Sequence, residues 1–361
     1  MAQPSRFEIY LESYPNDYKI TSWNDVTITS QVSGYGITGC TTTMLKFTAF
    51  DSFAQVIGNN ARVTIIDTLG AFVFPLFYVQ SRSIKNKRCE FTCVDIMSNA
   101  DDTFNTSWIL DTVDNVDLGT VVDKIALQIG AAGAAYTIAG WREITENKMY
   151  SKTHFLNKSC RVILDEIAAA LMGSWGIYDG QLLLVGMASG IARTVDIDTF
   201  TKIDLGNVQT VSGLEMTNSD NGDIFSFGNY SGKRFYISSY YADSNHSEAL
   251  FNSINGYRYE AFSCSKCLVE SFVYVNSFVR FMYSDDDFDV RLANNVTLKI
   301  SGDKVYATFI RNSVSELEMP YKSLLQRDME QKLQADKAVG TTTIESSGKI
   351  VFRNLNKTGV G

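Results

Sequence analysis

The sequence predicts a mainly β protein with an α+β insertion, in which two antiparallel β-barrel or sandwich domains flank a small α+β domain. Aromatic residues make up 12% of the chain, and only 4 of its 361 residues are proline. Runs of alternating apolar and polar residues recur in the first and last parts of the chain, whereas runs with helical spacing lie mainly in the middle. Aromatic and β-branched residues pack well on pleated sheets, and a chain of this length corresponds to two or three domains.

Residues 1–100 are predicted to form the first β domain. Their alternating runs are separated by polar or glycine-containing segments, which is the pattern of antiparallel strands joined by turns. The predicted strands span 7–12, 26–29, 44–50, 62–67, 76–84 and 89–94.

Residues 101–190 are predicted to form the α+β insertion domain. Apolar residues at helical spacing predict one helix over 118–130 and a second that begins after Ser159, which is an N-cap residue type. Gly173 is the expected residue just after the second helix, where a left-handed conformation is common. The pair Asp179-Gly180 between two apolar runs predicts a tight β-hairpin.

Residues 191–318 are predicted to form the second β domain, with strands near 223–227, 234–238, 269–275, 295–300 and 304–311 and a short helix at 247–252. Residues 319–361 differ, because they carry seven basic and four acidic residues in an otherwise acidic chain. Leu325, Met329 and Leu333 form a narrow apolar stripe on a predicted helix, and a hairpin is predicted over 341–355. Two interpretations of this arm stay open, contact with another chain and docking on its own domain.

A weak internal repeat links the two β domains. The runs at 63–67 and 77–84 resemble the runs at 296–300 and 308–314, each a Val-Thr-aliphatic strand followed by an aromatic strand. Such a repeat is expected of a duplicated domain. The alternative is that any two hairpins look this similar, since strand patterns carry little information.

No motif in the chain predicts a catalytic, metal or cofactor site. Residues 34–39 match the spacing of a dinucleotide-binding loop, but a strand-like run follows where that motif needs a helix. The acidic run 285–289 lacks the glycine and glutamate of an EF-hand loop. A zinc site needs four ligands, and whether the paired cysteines supply them stays open. The cysteines in question are Cys89, Cys93, Cys264 and Cys267.

Composition and charge narrow the class of protein further. The net charge is −8, which argues against a broad basic surface for nucleic acid. No run of about 18 apolar residues is present, so stable membrane insertion is not expected. No secretory signal is visible at the start, and we therefore expect assembly in a cytosol with reduced thiols.

Four segments resemble the baseplate hub family of phage tails and related contractile injection systems, including tail-derived bacteriocins. The matching segments are 47–51, 62–67, 76–80 and 91–97, and the middle unit of such hubs resembles 159–167 and 175–185. A leucine stands at position 76 where members commonly have glycine. The positions that carry the resemblance are Asp51, Phe77, Tyr78, Asp95, Met97 and Asp101.

The resemblance implies two tube-like β domains in each chain and a homotrimer, so that six copies form a ring matching a sixfold tail tube. It implies a non-enzymatic adaptor, without a cofactor, that joins the tail tube protein to a central spike protein and contacts other baseplate proteins. Such a protein is located in the tail baseplate of a virion or particle after assembly in the bacterial host cytoplasm. DNA passes through without specific binding, and the overall negative charge leads us to expect an anionic lumen.

Two other functions stay open. The many aromatic residues also suit a cell-wall-binding or peptidoglycan-degrading tail protein, because aromatic faces stack on sugars. A distal tail or adhesin protein of a non-contractile tail shares the tube-like domains and differs mainly in its partners.

Overall fold

The computed structural model describes residues 5–13, 16–32, 39–50, 61–85, 88–109, 112–138, 140–186, 191–229, 233–284, 286–311, 320–321, 343–344 and 350–351. Within these ranges strands dominate and helices are few, as the composition predicts. None of the helices in the described ranges combines the length and apolar character needed to cross a bilayer.

The described residues between 7 and 94 form seven strands; six correspond to the predicted alternating runs, and β2 was not predicted. Apolar residues at every second position are buried, for example along β3 and β4, because successive side chains of a strand point to opposite faces. The strands are β1 Phe7–Ser13, β2 Asn16–Ile20, β3 Trp23–Val32, β4 Gly39–Ala49, β5 Arg62–Asp67, β6 Phe77–Lys85 and β7 Arg88–Val94.

The α+β insertion follows a short 3-10 helix over Ile96–Asp101. Asp117 caps the first α-helix and Ser159 caps the third, each accepting a hydrogen bond from a backbone N–H in the first turn. The α-helices are α1 Leu118–Ile129, α2 Trp141–Thr145 and α3 Cys160–Ala170. The strands are β8 Asn115–Asp117, β9 Ala134–Thr137, β10 Met149–Ser151, β11 Gly173–Tyr178 and β12 Gln181–Gly186.

Residues 191–311 return to β structure and contain one helix, α4 Ser244–Ile254, near its predicted position. The strands are β13 Ile191–Ile197, β14 Ile203–Asn218, β15 Ile224–Gly228, β16 Lys233–Ser239, β17 Arg258–Val269, β18 Ser277–Met282, β19 Phe288–Leu292, β20 Asn295–Ser301 and β21 Lys304–Arg311.

Three short strand pieces are described in the C-terminal segment. β22 Pro320–Tyr321 pairs in parallel with Tyr236 and Ile237 of β16. β23 Thr343–Ile344 and β24 Ile350–Val351 pair with each other in antiparallel fashion, within the hairpin predicted from the sequence. The predicted helix with Leu325, Met329 and Leu333 lies outside the described residues.

The two β regions form one continuous sheet. Its strand order across the main layer is β14-β17-β21-β20-β3-β4-β7-β6, and every neighbouring pair is antiparallel. A second layer covers one face of this sheet with two three-stranded groups, β2-β1-β5 and β13-β18-β19. The apolar core between the layers is a single cluster that contains residues of both β regions, such as Phe47, Phe91, Phe281 and Phe309.

The insertion has its own core and is attached to the main sheet at the start of β4. α1 and α3 pack in a cluster that also contains Trp175 and Cys40. β11 pairs in parallel with β4 through Ser174–Gly39 and Trp175–Cys40. A third cluster lies under α4, between β14, β16 and the end of α3.

Two predicted details are wrong. Gly173 does not end the second predicted helix, because Met172 takes the left-handed φ of 49° and Gly173 begins β11. A Cβ at Gly173 would lie 2.7 Å from Ile138 Cδ1 and 2.9 Å from the Val185 carbonyl oxygen, so this glycine permits close strand packing. The strand predicted over 269–275 is not formed, because β17 ends at Val269 and the next strand, β18, begins at Ser277.

Candidate assembly surface

The main sheet contains two four-strand units with the same topology. In chain order, the first unit is β3, β4, β6, β7 and the second is β14, β17, β20, β21. In both units the sheet order is first, second, fourth, third strand. Second-layer strands both precede the first strand and lie between the second and third, as β5 does in the first unit and β18 and β19 do in the second. The units therefore follow one another head to tail, so that the third strand of one, β20, pairs with the first strand of the other, β3.

The repeat predicted from the sequence is thus present but shifted by one strand. In the predicted repeat the run at 63–67 corresponds to the run at 296–300, that is, β5 corresponds to β20. In the topology β20 corresponds to β6 and β21 corresponds to β7. β5 has no counterpart in this alignment, because it belongs to the second layer, where it forms a ladder with β1. The hairpins agree in register: Ser301 opposes Lys304 at one turn, and Lys85 opposes Arg88 at the other.

The junction between the units is a five-residue antiparallel ladder. Asn295, Thr297 and Lys299 of β20 oppose Gln31, Thr29 and Thr27 of β3 on one face of the sheet. On the other face Leu298 opposes Ile28, and both are about 1% exposed. The junction is therefore built from an internal core pair and an outward polar ladder.

The two edges of the main sheet have no strand partner among the described residues. On β6 the unpartnered edge covers residues 80–85, and on β14 it covers residues 203–208. Apolar side chains are exposed along both edges: Ile84 at 50%, Leu205 at 57% and Val208 at 41%. Unpaired edge strands with apolar residues are sites where another chain adds to a sheet.

The face of the main sheet that turns away from the core is polar and open. Threonines dominate its centre on β3, β4, β7, β20 and β21. Part of this face forms an open groove of about 960 Å³ that is bordered by Arg161 of α3. We call this surface the open face; its central residues are Thr27, Thr29, Lys46, Thr92, Thr297 and Thr308.

The residues that carried the family resemblance lie at three places. Phe77 is fully buried in the main core, and Tyr78 is its half-buried neighbour, opposite Val94 on the outward side. Asp95 and Met97 follow β7 and are buried, whereas Asp101 ends the 3-10 helix. Asp51 lies outside the described residues.

Asp95 holds the 3-10 helix against β4, and Asp101 at the end of that helix holds α3 of the insertion. Asp95 is 2% exposed and accepts hydrogen bonds from the backbone N–H groups of Thr43 at 2.9 Å and Met97 at 3.2 Å. Burial raises the pKa of its carboxyl to about 6. Asp101 forms an ion pair with Arg161, which also donates to the Met97 carbonyl oxygen at 3.0 Å. The arrangement is structural, because each polar group is used in joining the segments.

Asp95 should contribute stability as the pH falls from 7 to 5. Its pKa of about 6 in the folded chain lies above the ordinary aspartate value of about 3.9. The folded state therefore binds more protons than the unfolded state in this window, and the free energy of unfolding gains about 1 kcal/mol. His246 acts in the opposite sense, because burial lowers its pKa to about 4.

The measurement is urea unfolding of the wild-type chain and of Asp95→Asn at pH 7 and at pH 5. The difference in stability between the two proteins should grow in favour of the wild type by about 1 kcal/mol at the lower pH. Since His246 is common to both proteins, its contribution cancels. A difference that does not change with pH would contradict this role for Asp95.

The paired cysteines do not form a four-ligand metal site. Among the described residues, no group of three or more His, Cys, Asp or Glu side chains is arranged to hold a metal ion. Cys264 and Cys267 are neighbours across a β-bulge, with their sulfur atoms 3.3 Å apart. Cys89 and Cys93 lie on the core face of β7, and burial raises the pKa of Cys93 to about 12.

The remaining sequence motifs have structural roles where they are described. Gly39 begins β4, so a strand follows the glycine-rich segment as predicted, while residues 33–38 lie outside the described residues. In the acidic run, Asp289 pairs with Arg291. Trp175, one of the aromatic residues that favoured sugar binding, is fully buried. The sugar-binding function stays a prediction.

Sequence reasoning missed the two sheet edges and the β20–β3 junction. Ladder pairing between residues more than 260 positions apart leaves no local pattern in the sequence. The signal that could have indicated the repeat is a pair of hairpins, 85–88 and 301–304, each with a two-residue connection between two alternating strands.

Comparison with known proteins shows which proteins share this fold. No protein-family model and no curated protein matches the sequence. The 43 kDa tail protein of prophage MuSo2 from Shewanella oneidensis has a TM-score of 0.53 at 11% identity, over 84% of this chain and 97% of that one. Prophage tail protein gp18 from Listeria monocytogenes EGD-e has a TM-score of 0.53 at 12% identity, over 91% and 99%. A tail protein from Neisseria meningitidis MC58 has a TM-score of 0.53 at 9% identity, over 85% and 97%. The chain therefore has the fold of these phage tail proteins.

Proposed function

We propose that the chain is a structural baseplate hub of a phage tail or a contractile injection particle, and that three copies form a closed ring. The observation that carries this proposal is the head-to-tail repeat of two four-strand units, whose outer edges pair with no strand in the described part of the chain. The shared fold with phage tail proteins supports it.

Ring formation follows from repeating a contact that the chain already makes once. Within the chain, the third strand of one unit pairs with the first strand of the next through β20 and β3. The same contact between chains would join β6 to β14 of a neighbour. A head-to-tail contact of this kind closes into a ring when its rotation allows. Three chains then supply six units, which matches a sixfold tube.

Closure would also cover the exposed apolar residues at the edges. Ile84 on β6 and Leu205 on β14 are each at least half exposed. Pairing the edges removes this surface from water, and each buried aliphatic side chain contributes up to about 2 kcal/mol. The new ladder also satisfies the backbone N–H and C=O groups of both edge strands.

The repeat fixes the register of the proposed contact. Thr297 lies four residues before the end of β20, and Ser81 lies four residues before the end of β6. In the first unit Thr29 opposes Met44, which opposes Val94 of β7. In the second unit Asp204 opposes Ser263, which opposes Ile310 of β21. Val94 and Ile310 are corresponding positions, so Thr29 and Asp204 correspond as well. Since Thr297 opposes Thr29 inside the chain, Ser81 should oppose Asp204 of the neighbour.

Disulfide trapping tests this register. Ser81→Cys combined with Asp204→Cys should form bridges between chains under mild oxidation, because opposed Cα atoms lie about 4.5–5.5 Å apart. Denaturing gels without reductant should show dimers and trimers, with the closed trimer as the largest product. The six native cysteines are buried and should not contribute.

The matched control moves one cysteine by two residues. Ser83→Cys combined with Asp204→Cys places the thiols diagonally, about 7–8 Å apart between Cα atoms, and should cross-link poorly. Each single variant should stay monomeric on the gel. Equal cross-linking of the two pairs, or a ladder that continues beyond the trimer, would contradict the closed ring.

The finer parts of the proposal concern partners. The ring would join the tail tube protein to a central spike protein and act without catalysis, as part of the tail baseplate assembled in the bacterial host cytoplasm. The insertion, attached to β4 through Asp165 and Arg161 of α3, would face other baseplate proteins on the outside. The open face would line the channel through which DNA passes.

A further inference from the structure

The open face carries positive charge at positions that correspond between the two units. Arg88 and Lys304 are the first residues after the hairpin turn in their units. Lys46 opposes Thr92, and Lys266 is one of the two bulge residues that oppose Thr308, the counterpart of Thr92. All four cationic side chains are exposed.

These four residues form two levels along the strands. Thr92 and Thr308 each lie four residues beyond the hairpin turn, so the levels are about 13 Å apart at the usual strand rise. In a ring of six units, each level would present six cations at regular intervals. Lys299 of β20 adds a further cation to the same face. The face also carries acidic residues: Glu90 between the levels on β7, Asp25 in the groove and Asp204 at the start of β14.

The charge of this face differs from that of the whole chain. The chain has a net charge of −8, which led us to expect an anionic lumen. The described strands instead place lysine and arginine on the open face at corresponding positions. If this surface lines the channel of the proposed ring, the channel would carry more positive charge than the overall charge of the chain suggests.

We propose that the open face binds the phosphate backbone of double-stranded DNA through Lys46, Lys266, Arg88 and Lys304. This inference rests on the proposed ring, in which the open face lines the channel. A duplex carries one negative charge per about 1.7 Å of its axis, so its phosphates would lie close to each level of cations wherever the duplex stands in the channel. Threonine hydroxyls on the same face, such as those of Thr27, Thr92 and Thr308, are suitable additional phosphate donors.

The chemistry of this face favours DNA over an acidic protein. Protein interfaces depend on aromatic and large apolar side chains that insert into pockets at their centre. The centre of the open face is rich in threonines, at Thr27, Thr29, Thr92, Thr297 and Thr308, and its larger side chains, Met44, Tyr306 and Ile310, are half-buried among them and form no pocket-filling anchor. Separated point charges with hydroxyls bind phosphates without reading sequence, so the binding should be weak, general and sensitive to salt.

Fluorescence anisotropy of a short labelled duplex with the full chain tests the proposal over about 50–200 mM NaCl. The variants are Lys46→Glu with Lys266→Glu, and Arg88→Glu with Lys304→Glu. Each pair should weaken binding at least tenfold at the lowest salt and reduce the slope of log affinity against log salt by about 2. The matched control, Lys124→Glu with Arg142→Glu, makes the same charge change on the insertion and should stay within twofold of wild type.

Three results would overturn the inference: no binding of DNA by the wild type, equal losses in the control, or binding of polyglutamate but not of DNA. The last would assign the face to an acidic protein. Electron microscopy of the same samples separates this failure from that of the ring. If rings form but the open-face variants bind DNA as well as the wild type, only the proposed DNA contact is refuted. If no rings form, the proposed function is refuted.

Discussion

Replacing Trp175 with alanine is expected to lower the free energy of unfolding by about 4 kcal/mol, the largest effect of any single change considered. Trp175 is fully buried, and its indole N–H donates to the Leu164 carbonyl oxygen at 2.9 Å. It contacts the rings of Tyr136 and Trp141 edge to face. Its strand, β11, is the one that pairs with the start of β4, so the loss affects both the insertion and its attachment.

Urea unfolding followed by circular dichroism measures this effect. Trp175→Phe retains most of the apolar volume and should cost less than the alanine variant. Leu127→Ala on α1 is the surface control, because Leu127 is 63% exposed, and its effect should stay within about 0.5 kcal/mol. A loss below about 1 kcal/mol for Trp175→Ala would mean that the insertion does not pack as described.

The second large effect is expected at the junction between the two units. Leu298→Ala and Ile28→Ala should each lower the free energy of unfolding by about 3 kcal/mol, because both side chains are about 1% exposed and oppose each other across β20 and β3. The double variant should lose less than the sum of the two, with a coupling of about 1 kcal/mol. Unfolding should remain a single transition, since both units share one core.

Thr297→Ala with Thr29→Ala is the control at the same junction. These residues oppose each other on the open face, where truncation leaves no cavity in the core. Two separate transitions in Leu298→Ala, with only one of them shifted, would show that the units fold independently. That result would contradict a continuous sheet across the junction.

Local features of the fold were predictable from the sequence because their signals are local. Asp179 and Gly180 both adopt positive φ in the predicted hairpin, and Ser159 caps α3 through its side chain. The role of Gly173 at the start of β11 was not predictable, because its cause is not local. Its role depends on Ile138 and Val185, which approach it from other elements, and no nearby residue indicates that.

The candidate assembly surface was predictable only in part. The duplication left a detectable trace, but the sequence aligned β5 rather than β6 with β20, since all three strands share an alternating pattern. Which of them lies in the main layer depends on pairing with β1 or with β7. The cations of the open face were likewise hidden in the overall charge, because charge summed along a chain does not indicate which face carries it.

Negative-stain electron microscopy of the purified chain is the most direct test of ring formation. We expect closed rings with threefold symmetry and a central opening, in which six similar densities follow one another around the circumference. Isolated globules, or open chains of subunits without closure, would contradict the proposal that the β6 and β14 edges repeat the β20–β3 contact between copies.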